Sequence, residues 1–82
     1  MVKREDVVPG TMIVVSKAMS TAPAVEWLGE KFVPGMLLRI ESKPKKNGGL
    51  NLVKVSHIVD NNVKYSGEVF YSFVTVFCKK KV

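Results

Sequence analysis

The sequence predicts an all-β protein: one small domain, residues 1–82, of five short strands closed into a barrel. Two observations and one physical argument carry that expectation. Apolar residues alternate with polar ones at period two along 36–41 and again along 63–73, the pattern of half-buried strands. Glycine, proline and asparagine gather between the apolar runs, where turns need them. Closing such short strands on themselves also removes the sheet edges that would otherwise aggregate.

The elements follow in order. A charged lead-in ends at Val8-Pro9-Gly10. Proline cannot donate to a strand ladder and glycine permits a sharp reversal, so a first strand, Met12–Ser16, begins just after. Its run Met12-Ile13-Val14-Val15 is continuously apolar, and the reading places Met12 and Val14 inward. The phrase returns at Val33-Pro34-Gly35 before Met36-Leu37-Leu38, as one turn-then-strand solution used twice and not as a duplicated domain. Between the two copies, residues 17–31 suit either a short helix, with Thr21 and Pro23 at its start, or a hairpin. The hairpin would turn at Gly29-Glu30 between Trp27-Leu28 and Lys31-Phe32, and it is the preferred reading.

Strand two carries Met36, Leu38 and Ile40 inward, alternating with Arg39 and Glu41. Asn47, Gly48 and Gly49 tolerate positive φ and close a basic loop, Lys43–Gly49. Strand three, Leu50–His57, changes phase between Leu52 and Val53, which predicts a bulge there. Asp60-Asn61-Asn62 makes the next turn. Val63, Tyr65, Gly67, Val69, Tyr71 and Phe73 then share one parity of a fourth strand bent at Gly67, and Val74–Cys78 forms the last. The tail, residues 79–82, is expected to fray. The predicted core is Met12, Val14, Met36, Leu38, Ile40, Val53, Val55, Val69 and Val76.

In its order of elements the chain resembles the Src-homology-3-like (SH3-like) barrel, of the KOW/Tudor-like kind. The residues that carry the resemblance are VPGMLLRIESKPKKNGG, a Pro-Gly lead into a strand followed by a basic, glycine-containing loop. Met36 stands where the family often has an acidic residue, and no acidic run marks a proline-peptide site. An OB-type barrel fits the strand count nearly as well. The resemblance implies binding to nucleic acid, to ribosome-like assemblies or to protein peptides, and does not choose among them.

Charge narrows the choice. Residues 1–42 carry as many acids as bases, whereas 43–82 carry eight lysines against Asp60 and Glu68, the whole net +6. A clustered excess of this kind points to an anionic partner. Lys43, Lys45 and Lys46 project from one loop, with Lys54 and Lys64 on adjoining strands and three lysines in the tail. Trp27 and Phe70 could stack on bases. Phe70 is the one aromatic on the polar parity of its strand, so it should line a partner surface or be capped by Trp27. With only two arginines, base-specific reading of a duplex is not expected. The expectation is a module binding nucleic acid non-specifically; the competing one is a small regulator docking on an acidic protein surface. An apolar content of 46% in so basic a chain leaves room for a homodimer.

Catalytic chemistry is thin. One histidine, His57, and one cysteine, Cys78, cannot supply the four ligands of a structural zinc, and their plain reading is a strand-end ring and a packed thiol. The carboxylates show no paired spacing, and Asn47-Gly48-Gly49 lacks the Lys-Ser/Thr of a phosphate loop. No enzyme activity, metal or cofactor is expected. Neither a leader after Met1 nor a membrane-length apolar run is present, which predicts a soluble, cytoplasmic chain with no membrane partner.

Overall fold

A computed structural model describes residues 2–17, 24–26 and 31–81. Its strands are β1 (Met12–Val15), β2 (Ala24–Glu26), β3 (Leu37–Ile40), β4 (Lys45–Asn47), β5 (Leu50–Val59), β6 (Asn62–Phe70) and β7 (Cys78–Lys80). One helix, α1 (Tyr71–Phe77), and a 3-10 turn at Arg4–Asp6 complete the described elements. The protein is therefore mostly strand with little helix, as expected.

Each Val-Pro-Gly phrase makes the same turn. Gly10 and Gly35 adopt φ of +95° and +97°, and the N–H of Thr11 and of Met36 donates back to the valine carbonyl at 3.2 Å in both. Proline second and glycine third are what a type II turn requires. The two strands that follow, β1 and β3, pair antiparallel with Ile13 opposite Leu38. Each turn is also bonded to the end of the other strand: Gly10 N–H donates to the Ile40 carbonyl and Gly35 N–H to the Val15 carbonyl, both at 2.8 Å.

That register corrects the expected phase of β1. Ile13 and Val15 are buried with Leu38 and Ile40, while Met12 and Val14 lie on the outer face, half-buried. An all-apolar run gives no period-two contrast, so the ladder with β3 decides which parity turns inward.

The sheet runs β2-β6-β5-β3-β1-β7, with β4 added to β5, and every pair is antiparallel. Among the described residues the edge strands β2 and β7 do not pair, so a closed five-stranded barrel is not formed. The segment expected as the fifth strand is instead α1. Phe70, Phe73, Val74 and Phe77 stand at i, i+3, i+4 and i+7, a helical spacing inside a β-branched run. Phe73 and Val74 are fully buried, and Phe73 packs on Phe32 with ring centroids 4.9 Å apart. Burial of that face outweighs the weak helix propensity of Val and Thr. The helix ends by handing the Phe77 carbonyl to the Ser16 and Lys17 N–H groups and the Ser16 hydroxyl. Val76 faces solvent, 41% exposed, and leaves the predicted core for that reason. Lys79 and Lys80, expected to fray, are held in β7 against β1.

Two turns of opposite chemistry close the hairpins. Gly48-Gly49 (φ +57° and +88°) joins β4 to β5, and Asp60-Asn61 (φ +52° and +64°) joins β5 to β6. Two consecutive positive φ values match the right-handed twist of the flanking strands. The β5–β6 ladder stays in register from Leu52 to His57 and slips between His57 and Ile58, leaving Lys64 as the extra residue on β6. The expected bulge at Leu52-Val53 is thus not there. Both residues are buried because Val53 joins the core while Leu52 is covered on the opposite face. His57 sits within β5, not at its end.

Met36, Leu38, Ile40, Val53, Val55 and Val69 are buried in the core as predicted. Val2 and Val7, from either side of the 3-10 turn, and Cys78 from β7 complete it. Of residues 17–31, β2 pairs with β6 as an edge strand; the expected hairpin at 27–30 and the helix start at Thr21 lie outside the described residues.

Candidate nucleic-acid interface

The basic loop is a hairpin. Lys45 and Lys46 lie in β4, paired to Leu52 and Asn51 of β5, and Lys43 lies just before it. The approach is stitched to β5 at Lys54, whose carbonyl accepts from Glu41 N–H at 2.8 Å and whose N–H donates to the Ser42 hydroxyl at 3.0 Å. The lysine ammonium groups therefore stand on ordered backbone. Lys43, Lys45, Lys46 and Lys54 are exposed, and among the described residues none of them makes a salt bridge.

Register then places an aromatic on the face of Lys45, while Lys46, opposite Asn51, has the other parity. Lys45 pairs with Leu52, and Leu52 pairs with Phe70, so the three form one row across β4, β5 and β6. The next row, Val53 and Val69, is fully buried, which puts Lys45, Leu52 and Phe70 on the outer face. Two strand spacings, about 10 Å, separate the Lys45 and Phe70 backbones. Phe70 is half-buried, and Leu50, at the hairpin end of the same face, is 44% exposed. Lys54 continues this face one row along, opposite Glu68.

Other candidates fall elsewhere. Lys64 is six residues along β6 from Phe70, about 20 Å away, with its amine 5.5 Å over the Tyr65 ring. Trp27, and with it any cap on Phe70, lies outside the described residues. Of the tail lysines, Lys80 reaches Asp6 of the 3-10 turn at 3.3 Å. Leu52, buried between them, links Phe70 to Lys45 through the ladder, and its departure from the parity of Val53 and Val55 is the signal in the sequence that could have found that link.

Arg39 is consumed by a neighbour. Its Nε and Nη2 donate to the two carboxylate oxygens of Glu41, each at 3.0 Å, and the Ser56 hydroxyl donates to Glu41 Oε2 at 2.8 Å. The Arg39 guanidinium holds the Glu41 carboxyl below its usual range, against the opposing push of burial, with Ser56 and Lys54 helping. A guanidinium used this way has little capacity left for a base edge.

His57 is buried, with its ring stacked on Tyr65 at 6.5 Å, and its Nδ1 has no hydrogen-bond partner among the described residues. Burial pushes the Cys78 thiol up to about 12, so it stays protonated at neutral pH and is a poor nucleophile. Among the described residues no group of three acidic, histidine or cysteine side chains could hold a metal ion, and no helix is long and apolar enough to cross a membrane. Comparison with protein-family models, with curated proteins and with solved structures finds no match.

Proposed function

We propose that this chain is a non-catalytic module that binds nucleic acid without sequence preference, through the β4–β5 hairpin and the outer face beside it. The observation that carries the proposal is the Lys45–Leu52–Phe70 row, in which Lys45 is exposed, Phe70 half-buried and Leu52 buried, flanked by the exposed Lys43, Lys46 and Lys54; none of these lysines makes a salt bridge among the described residues. Lysines attract phosphates and release counterions, while an aromatic on an apolar strip accepts any base by stacking. A single cation row beside a stacking surface is what a sequence-blind binder needs. The order β6-β5-β3-β1-β7, with a long excursion between β1 and β3, supports reading the sheet as SH3-like.

Replacing Lys43, Lys45 and Lys46 together with Gln tests this reading. Folding should be unchanged, because the side chains are solvated. Affinity should fall alike for all sequences. The slope of log affinity against log salt should flatten by about 0.9 per lost contact on duplex DNA, or 0.7 on a single strand. An unaltered slope, with unaltered affinity, sinks the reading.

One observation favours a second reading. Met12, Val14 and Leu37 form a half-exposed apolar strip on the outer face of β1 and β3, bordered by Lys79 and Arg39. An acidic protein surface with apolar anchors would fit it. A stoichiometric protein partner that survives nuclease treatment and is lost on Leu37→Asp would place the function there.

A further inference from the structure

The 3-10 turn Arg4–Asp6 lies between the two groups of lysines. On one side Arg4, Glu5, Val7 and Val8 line an open cleft of about 480 Å³ together with Lys43 and Pro44. On the other, Asp6 takes the amine of Lys80 at 3.3 Å. Pro44 immediately precedes the Lys45–Asn47 strand, so the cleft opens directly beside the lysine hairpin.

Its lining has a specific character. Arg4 and Lys43 bring two cations against the one carboxylate of Glu5, and neither cation makes a salt bridge among the described residues. Val7, Val8 and Pro44 give it apolar walls. The volume falls in the range of sites that enclose a small organic group, roughly 300–1,000 Å³. An anion alone would not need the apolar walls, and an apolar ligand would not need the cations.

We propose that this cleft holds one nucleotide unit of a single-stranded nucleic acid, with its phosphate between Arg4 and Lys43 and its sugar or base against Val7, Val8 and Pro44. The strand then runs from Lys45 and Lys46, over the 3-10 turn, toward Lys80 and Lys81. A duplex cannot place a nucleotide there, because its bases are paired and its backbone is stiff; a flexible strand can. This rests on the nucleic-acid reading above and adds its substrate class and its path.

The test uses oligothymidylates of two to ten nucleotides, with affinity measured against length and salt. Three variants are compared with the wild type: Arg4→Gln, Val8→Asp, and the double change Lys45→Gln/Lys46→Gln, each checked for unaltered thermal unfolding. Arg4→Gln is expected to flatten the salt slope on a ten-nucleotide strand by about 0.7, one phosphate contact. It should also shorten by at least one nucleotide the length at which affinity stops rising. Val8→Asp, which sets a carboxylate in the cleft, should do the same and leave dinucleotide binding unchanged.

If Lys45→Gln/Lys46→Gln weakens binding while Arg4→Gln and Val8→Asp leave slope and length as they were, the interface stands and the cleft is not part of it. A flattened slope in Arg4→Gln with no response to Val8→Asp would likewise remove the nucleotide from the cleft. If the wild type binds no oligothymidylate even at low salt, or binds only a glutamate-rich peptide, both readings fall together.

Discussion

After Gly10 the chain runs Thr11-Met12-Ile13-Val14-Val15, and after Gly35 it runs Met36-Leu37-Leu38-Arg39-Ile40. The third and fifth residues past each glycine are buried, and the second and fourth face outward. The two units share turn, register and phase. They differ at the first residue, where Met36 is buried in the core and Thr11 is half-exposed, and in what they show to water: Met12 and Val14 in the first, Leu37 and Arg39 in the second. The turn sets the phase of its strand, and the outward residues are free to serve other ends. In the second unit the outward Arg39 is spent on Glu41; in the first, the outward Val14 extends an apolar strip onto Leu37.

The largest effect should come from breaking the phase. Ile13→Ala and Leu38→Ala, both at fully buried equivalent positions, should each cost about 2–5 kcal/mol in urea unfolding. Met12→Ala and Leu37→Ala, on the outer face, should each cost under about 1 kcal/mol, because a half-exposed side chain leaves no enclosed cavity. Equal losses at Met12 and Ile13 would overturn the equivalence of the two units.

Next in size is the turn itself. A Cβ added at Gly10 or Gly35 meets nothing within 4 Å, so only the positive φ opposes a side chain. Gly10→Ala and Gly35→Ala should therefore cost about the same, roughly 1–2 kcal/mol each. A difference well beyond that range between the two would show that one turn carries strain the other lacks.

The smallest effect sharpens the outward difference. Glu41 binds its proton less readily in the folded chain than its ordinary value of 4.5. Its contribution to stability is thus fully present above that pH and is lost as pH falls through the lower folded value. Chemical denaturation of the wild type and of Glu41→Gln should differ at neutral pH and converge on acidification. A constant gap would mean that the Arg39–Glu41 contact has no part in the acid limb.

Much of this fold was legible. Strand β3 announces itself because Arg39 and Glu41 break the apolar run, and the Asp60-Asn61 and Gly48-Gly49 turns follow from residue types that accept positive φ. Strand β1 was read in the wrong phase because Met12-Ile13-Val14-Val15 offers no polar marker. The marker was one turn away: aligning the two Val-Pro-Gly phrases puts Ile13 on Leu38. Helix α1 was missed because its composition speaks for strand, and only the spacing of Phe70, Phe73, Val74 and Phe77 speaks for helix. For the candidate site, the lysines were legible from charge alone. Their neighbour Phe70 stood out by parity, but its link to Lys45 through Leu52 depends on a register that no local signal sets.

That helix has a second consequence, for the chain when it is not folded. Val69–Cys78, VFYSFVTVFC, holds ten residues with no charge and no proline, rich in aromatic and β-branched types. Such a segment is suited to stack in extended form with copies of itself. Folded, it is hidden by a helical wind that turns Phe73 and Val74 into the core. Local opening of α1 would release it, and Glu68 on one side and Lys79, Lys80 and Lys81 on the other are the charges that would then oppose its assembly. The tail lysines thus guard the chain against its own most aggregation-prone stretch, whichever partner the folded surface meets.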